Sequence, residues 1–131
     1  MKFASVRIAT RRFEAQVAFY ARLSGVEPVR LAPEFAELRL AGGAVLAISS
    51  EDLIRQFNHG AAIAAANRSA ILEFEVDDVD PVHAVLAGVD LVMAPTVMPW
   101  GNRAMLLRDP DGNLVNVFSR PASGAQSRDV R

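Results

Sequence analysis

The amino-acid sequence predicts an α+β fold built from two βαβββ modules. A strand-type alternation followed at once by a helix-type period opens the chain, and the same succession returns after residue 69. Between the apolar runs stand Pro, Gly-Gly and Asp-Pro-Asp-Gly-Asn signals, so the runs have strand length rather than helix length.

Residues 3–10 alternate, with Val6 and Ile8 on one face and Phe3, Ser5 and Arg7 on the other. From residue 12 to 24 the period turns helical: Phe13, Val17, Tyr20 and Ser24 recur at three and four, and Gly25 is a natural stop. Strands are expected over 26–31, 35–40 and 44–49, separated by Pro33 and Gly42-Gly43, which closes the first module at about residue 50. Residues 51–68 break this rhythm. The alanine-rich run 61–66 favours helix while Asn58, Gly60 and Asn67 interrupt it, so a short helix and a mobile connection are expected.

The second module, 69–120, repeats the order. Residues 70–76 read as a strand and 79–87 as a helix opened by Asp78 or Asp80, with Pro81 in its first turn and Gly88 as its stop. Residues 91–96, 103–108 and 114–119 supply three more strands, the last two joined by the turn 109–113. Residues 121–131, rich in Ser, Gly, Ala and charge, have almost nothing to bury and are expected to form a disordered tail.

With 131 residues, 51% of them apolar, residues 1–120 suffice for one domain with its own core. The formal net charge is -1 and the cations are scattered, which sets nucleic acid aside as a partner. The absence of cysteine excludes disulfides, thiolate nucleophiles and Cys-ligated metal. No apolar stretch is long enough for a signal peptide or membrane span, so a cytoplasmic protein with no membrane partner is expected.

Two βαβββ modules, Phe19-Tyr20 in the first helix and Arg108-Asp109-Pro110-Asp111-Gly112-Asn113 before the last strand together resemble the vicinal-oxygen-chelate superfamily of glyoxalases, bleomycin-resistance proteins and extradiol dioxygenases. The resemblance covers residues 3–120. It implies a curved, cup-shaped mixed sheet with helices on its convex side and the ligand on its concave side. It also implies a homodimer whose cavities lie at or beside the interface.

The metal-dependent members hold their ion with His or Glu from the first, fourth, fifth and eighth strands. In this chain the resemblance places Ser5, Ala47, Ile71 and Asn116 at those positions, and none is a good donor for a divalent ion. The chain therefore resembles a metal-free branch, with no metal or other cofactor expected, against the chemistry of glyoxalase I, extradiol dioxygenases and fosfomycin-type thiol transfer. The two histidines, His59 and His83, form no i, i+4 pair. His83 reads as a partly solvated helix residue, whereas His59 is either an exposed loop residue or one that closes over a ligand.

By the strand parity of the lost ligands, Phe3, Ser5, Arg7, Val45 and Ala47 face inward from the first module, and Ile71, Glu73, Glu75, Leu114, Asn116 and Phe118 from the second. Buried charge is costly unless paired, so Arg7 is expected to meet Glu73 or Glu75. The other reading leaves one carboxylate for a cationic or hydrogen-bonding ligand, or as a general base. The segment 93–103 holds the only tryptophan, Trp100, between Pro99 and Gly101 with Met93 and Met98 nearby. Either Trp100 plugs a barrel edge or this is a polarizable surface for a planar ring. Bleomycin-resistance-like members have a similar Trp-Gly segment beside their groove.

The function expected is metal-independent sequestration of a hydrophobic, planar aromatic small molecule such as an antibiotic. Its candidate contacts are Phe3, Ser5, Arg7, Ala47 and His59 from the first part of the chain and Ile71, Glu73, Met98, Trp100, Arg103, Asn116 and Phe118 from the second. The alternative is a lyase, isomerase or dioxygenase-like enzyme with Glu73 or Glu75 as base and Arg7 or Arg103 stabilising an enolate or carboxylate.

Overall fold

In the computed structural model, which describes residues 1–121, the first succession runs β1 (Val6–Thr10), α1 (Phe13–Ser24), β2 (Val29–Ala32), β3 (Phe35–Arg39) and β4 (Val45–Ser50). Helix α2 (Glu51–Phe57) follows. The second succession is β5 (Ile71–Glu75), α3 (Val79–Val85), β6 (Asp90–Val97), β7 (Arg103–Arg108) and β8 (Leu114–Ser119). Residues 122–131, nearly all of the expected tail, lie outside the described residues. The fold is α+β, with βαβββ occurring twice, and the chain divides into two compact units that part between Asn67 and Arg68.

Each unit holds one mixed four-stranded sheet of the same topology, in the order β1-β4-β3-β2 in the first and β5-β8-β7-β6 in the second. The first and last strands of each module are parallel neighbours and the remaining pairs are antiparallel. In the first unit the pairs Ala36↔Ile48 and Leu38↔Leu46 share a face and are buried. Helix α1 packs on β3 and β4 and buries Phe13, Val17, Phe19, Tyr20 and Leu23. It stops at Gly25, whose φ of 71° is the left-handed cap that lets its N–H reach Ala21 O at 2.8 Å. Helix α3 packs on β6, β7 and β8, with Val79 and Leu86 buried and the Asp78 side chain accepting the Asp80 N–H.

Four elements differ most from the sequence expectation, the smallest change being in α3, which ends at Val85 with Leu86 as its C-cap and not at residue 87 before Gly88. Strand β1 starts at Val6, paired with Leu46 of β4, rather than at residue 3. Strand β2 starts at Val29, directly after Pro28, which has no N–H to offer a ladder. The connecting helix forms at Glu51–Phe57, not in the alanine run 61–66. Ser50 Oγ accepts the Leu53 N–H at 3.2 Å, and Glu51 and Asp52 occupy the first turn with Arg55 in the last, which complements the helix dipole. The alanine run follows two left-handed residues, His59 and Gly60, and outweighing that break takes more than propensity. The connection is also anchored, since Glu51 accepts the Ala64 N–H at 2.8 Å.

Candidate ligand-binding site

The second sheet builds the site through its register. Glu73 lies opposite Asn116, Asn116 opposite Leu106, and Leu106 opposite Met93; Phe118 lies opposite Ala104. Period-two alternation therefore sets Ile71, Glu73, Asn116, Phe118, Ala104 and Leu106 on one face. The other face carries Val115, Val117, Met105 and Leu107, all buried on the side of α3. The first face opens into a hollow of about 410 Å³, completed by Met93, Met98, Trp100, Asn102 and Arg120.

Trp100 owes its place to a tight hairpin between β6 and β7. Met98 N–H donates to Asn102 O at 2.7 Å, and Gly101 N–H donates to Met98 O at 2.9 Å. Pro99 suits the second turn position through its fixed φ, and Gly101, at φ 99°, closes a three-residue loop in a conformation that only glycine adopts without strain. The indole thus projects from a hairpin tip into the wall of the hollow and stays 46% exposed.

The polar groups are few. Asn116 Nδ2 donates to Glu73 Oε2 at 3.1 Å, and Arg120 Nε donates to Glu75 Oε2 at 3.2 Å. The Arg120 guanidinium also lies 5.4 Å from the Phe118 ring centroid. Ile71, Glu73, Met98, Trp100, Asn116 and Phe118, all expected at the site, are brought together. Arg103 is not. It pairs with Ser119 on the α3 side, where Nε and Nη2 grip Asp80 Oδ2 and Oδ1 at 3.2 and 3.0 Å, and so clasps α3 to the sheet.

Sequence reasoning missed Asn102, Ala104, Leu106 and Arg120 among the lining residues, and noted Met93 beside Trp100 without placing it among the ligand contacts. Arg120 continues the two-residue period of Leu114, Asn116 and Phe118, a signal present in the sequence.

Phe3, Ser5, Arg7, Ala47 and His59 belong to the first unit, whereas the lining of this hollow comes wholly from the second. Phe3 and Ser5 precede β1 and are exposed. Ala47 is buried between Arg7 and Glu37 in the ladder, and His59 is exposed in the turn after α2. Arg7, expected to meet Glu73 or Glu75, donates through Nη2 to Asn58 Oδ1 at 2.8 Å, a partner within its own unit.

The first unit has a larger hollow, about 630 Å³, at the ends of β1 and β4, lined by polar side chains such as Arg11, Glu34 and Glu51. Its carboxylates are engaged: Glu14 with Arg30, Glu34 with Ser50, Asp52 with Arg55, and Glu51 with Arg11 and Arg55. The Ala64 N–H and the Arg11 guanidinium hold the Glu51 carboxyl below its ordinary value of 4.5, against the opposing effect of burial. This hollow is a structural ion network.

The metal that the fold family implies does not fit these residues. Ser5 stands ahead of β1, Ala47 offers a buried methyl group, Ile71 is aliphatic, and the Asn116 amide is bonded to Glu73. Among the described residues no three His, Asp or Glu side chains converge.

The profile of the Glyoxalase/Bleomycin resistance protein/Dioxygenase superfamily matches residues 2–117, and the chain belongs to that superfamily. Among solved structures it is similar to a glyoxalase/bleomycin resistance protein/dioxygenase family enzyme from Burkholderia phytofirmans PsJN, at 24% identity and TM-score 0.75, over 91% of this chain and 98% of the other. A glyoxalase-related enzyme from Fulvimarina pelagi matches at 24% identity and TM-score 0.77, over 92% and 88%. TioX from Micromonospora sp. ML1 matches at 22% identity and TM-score 0.67, over 92% and 99%. At these identities the structures show the fold alone. No curated protein matches the chain. No helix among the described residues is long and apolar enough to cross a membrane.

Proposed function

We propose that this is a metal-independent, cytoplasmic binding protein that sequesters a hydrophobic, planar aromatic small molecule, such as an antibiotic. One observation carries the reading: a hollow preformed on the second sheet is walled by Trp100, Phe118, Met93 and Met98, with the indole held half-exposed at a hairpin tip. Aromatic faces and thioethers give a flat ring large contact area at little entropic cost. Four poor donors at the family's ligand positions support independence from metal. The protein acts as a homodimer in this reading, which would cover the exposed apolar side chains of Phe3 and Ile71.

A second reading, turnover as a lyase, isomerase or dioxygenase-like enzyme with Glu73 as base, draws on the position of that carboxylate in the hollow. It lacks a partnering acid among the lining residues. The test is a fluorescence titration of Trp100, the only tryptophan, in protein dialysed against chelator, using a panel of aromatic antibiotics. Saturable quenching by an unchanged compound is expected. About one equivalent of nickel, zinc or iron surviving dialysis, or conversion of the compound over many turnovers, contradicts the proposal.

A further inference from the structure

The polar side chains of the second unit's hollow are unevenly charged. Glu73 and Glu75 project from the same face of β5, two residues apart. The only guanidinium lining that hollow, among the described residues, is that of Arg120, and it is engaged by Glu75 at 3.2 Å. Among the described residues, the Glu73 carboxylate is met only by the neutral amide of Asn116. The other arginines placed on β7 are committed elsewhere, Arg103 to Asp80 on the opposite face and Arg108 to Gly112 O in the following turn. Among the described residues, the hollow therefore holds one carboxylate without a cationic partner.

Its remaining walls favour the same sign of charge. The faces of Trp100 and Phe118 carry the negative side of an aromatic quadrupole, and the amides of Asn102 and Asn116 each have a carbonyl oxygen to accept a hydrogen bond. The placement of the Arg120 guanidinium 5.4 Å from the Phe118 centroid shows that a planar cation already rests on one of these rings.

Resting on the proposed reading of this hollow, we infer that it selects planar aromatic molecules bearing an ammonium or amidinium group, with Glu73 as the specificity-determining residue. The ring lies between Trp100 and the apolar wall, and the cation meets the carboxylate beside Asn116. The net charge of -1 for the whole chain does not decide this, because the nearest charge to a bound cation is the Glu73 carboxylate on the wall of the hollow.

The experiment compares three probes of one shape on the full chain: 2-naphthylmethylammonium, the neutral naphthalene-2-methanol, and 2-naphthoate. Calorimetry and Trp100 quenching should rank the ammonium at least about tenfold tighter than the alcohol, and the naphthoate weakest. Glu73→Gln should bring the ammonium and alcohol affinities to within about threefold of each other. The probe comparison on the unaltered chain decides the matter even if that variant folds poorly.

Equal affinities for all three probes, or a preference for naphthoate, overturn this inference while leaving aromatic binding intact. If the alcohol and the ammonium both fail to bind, the proposed function falls with it.

Discussion

Glu51 gathers donors from three segments: Arg11 just past β1, Arg55 in α2, and the Ala64 N–H in the connection. Its carboxyl is held below its ordinary value, so its contribution to stability is complete above about pH 4.5 and is lost as pH falls through the lower folded value. Glu51→Gln keeps the shape and removes the charge. Its melting temperature should lie below that of the wild type at about pH 7, and the gap should narrow at an acidic pH below 4.5. A gap of equal size at both pH values would show that the ion network does not stabilise the fold. Arg103 offers the complementary residue test, because the sequence put it at the ligand and the structure puts it on α3. Arg103→Ala should cost no more than about 1 kcal/mol, as expected for a partly exposed pair, and leave aromatic-probe affinity unchanged. A tenfold loss of affinity would return Arg103 to the site.

At the scale of elements, the sequence was most legible where chemistry and period agreed. The bounds of β7 and β8 match the expectation residue for residue, since Asp109 Oδ1 accepts the N–H groups of Asp111 and Asn113 and so fixes the turn between them. The face taken by β7 was not legible. Its alternating sets, Arg103, Met105 and Leu107 against Ala104 and Leu106, are both largely apolar, and only the register with β8 decides between them. The connecting helix was misplaced because composition was weighed above capping, and Ser50 was the overlooked signal. The β6–β7 hairpin gives this scale its own test. Gly101 sits at φ 99°, so Gly101→Ala should lose about 1–2 kcal/mol of stability and displace Trp100, weakening probe binding. Unchanged stability and affinity by calorimetry would show that the hairpin geometry does not position the indole.

Across the whole chain, the repeat of βαβββ was readable because each module carries its own strand-helix transition. That Ile71, Glu73, Asn116 and Phe118 share one face followed from parity on β5 and β8. Phe3 and Ser5 were expected on β1, which instead starts at Val6, while Arg7 and Ala47 do lie on β1 and β4. Exposure of Phe3 and Ile71 leads us to expect a dimeric mass by light scattering at micromolar concentration, and a monomer would contradict the proposed assembly.

The central claim, that the Trp100 hollow binds planar aromatic molecules, is tested most directly by calorimetric titration of naphthalene-2-methanol or its ammonium analogue into wild type and Trp100→Ala. The account predicts a loss of about one to two decades in affinity, with a melting temperature close to that of the wild type. A variant that melts early yet binds every probe as the wild type does would contradict it.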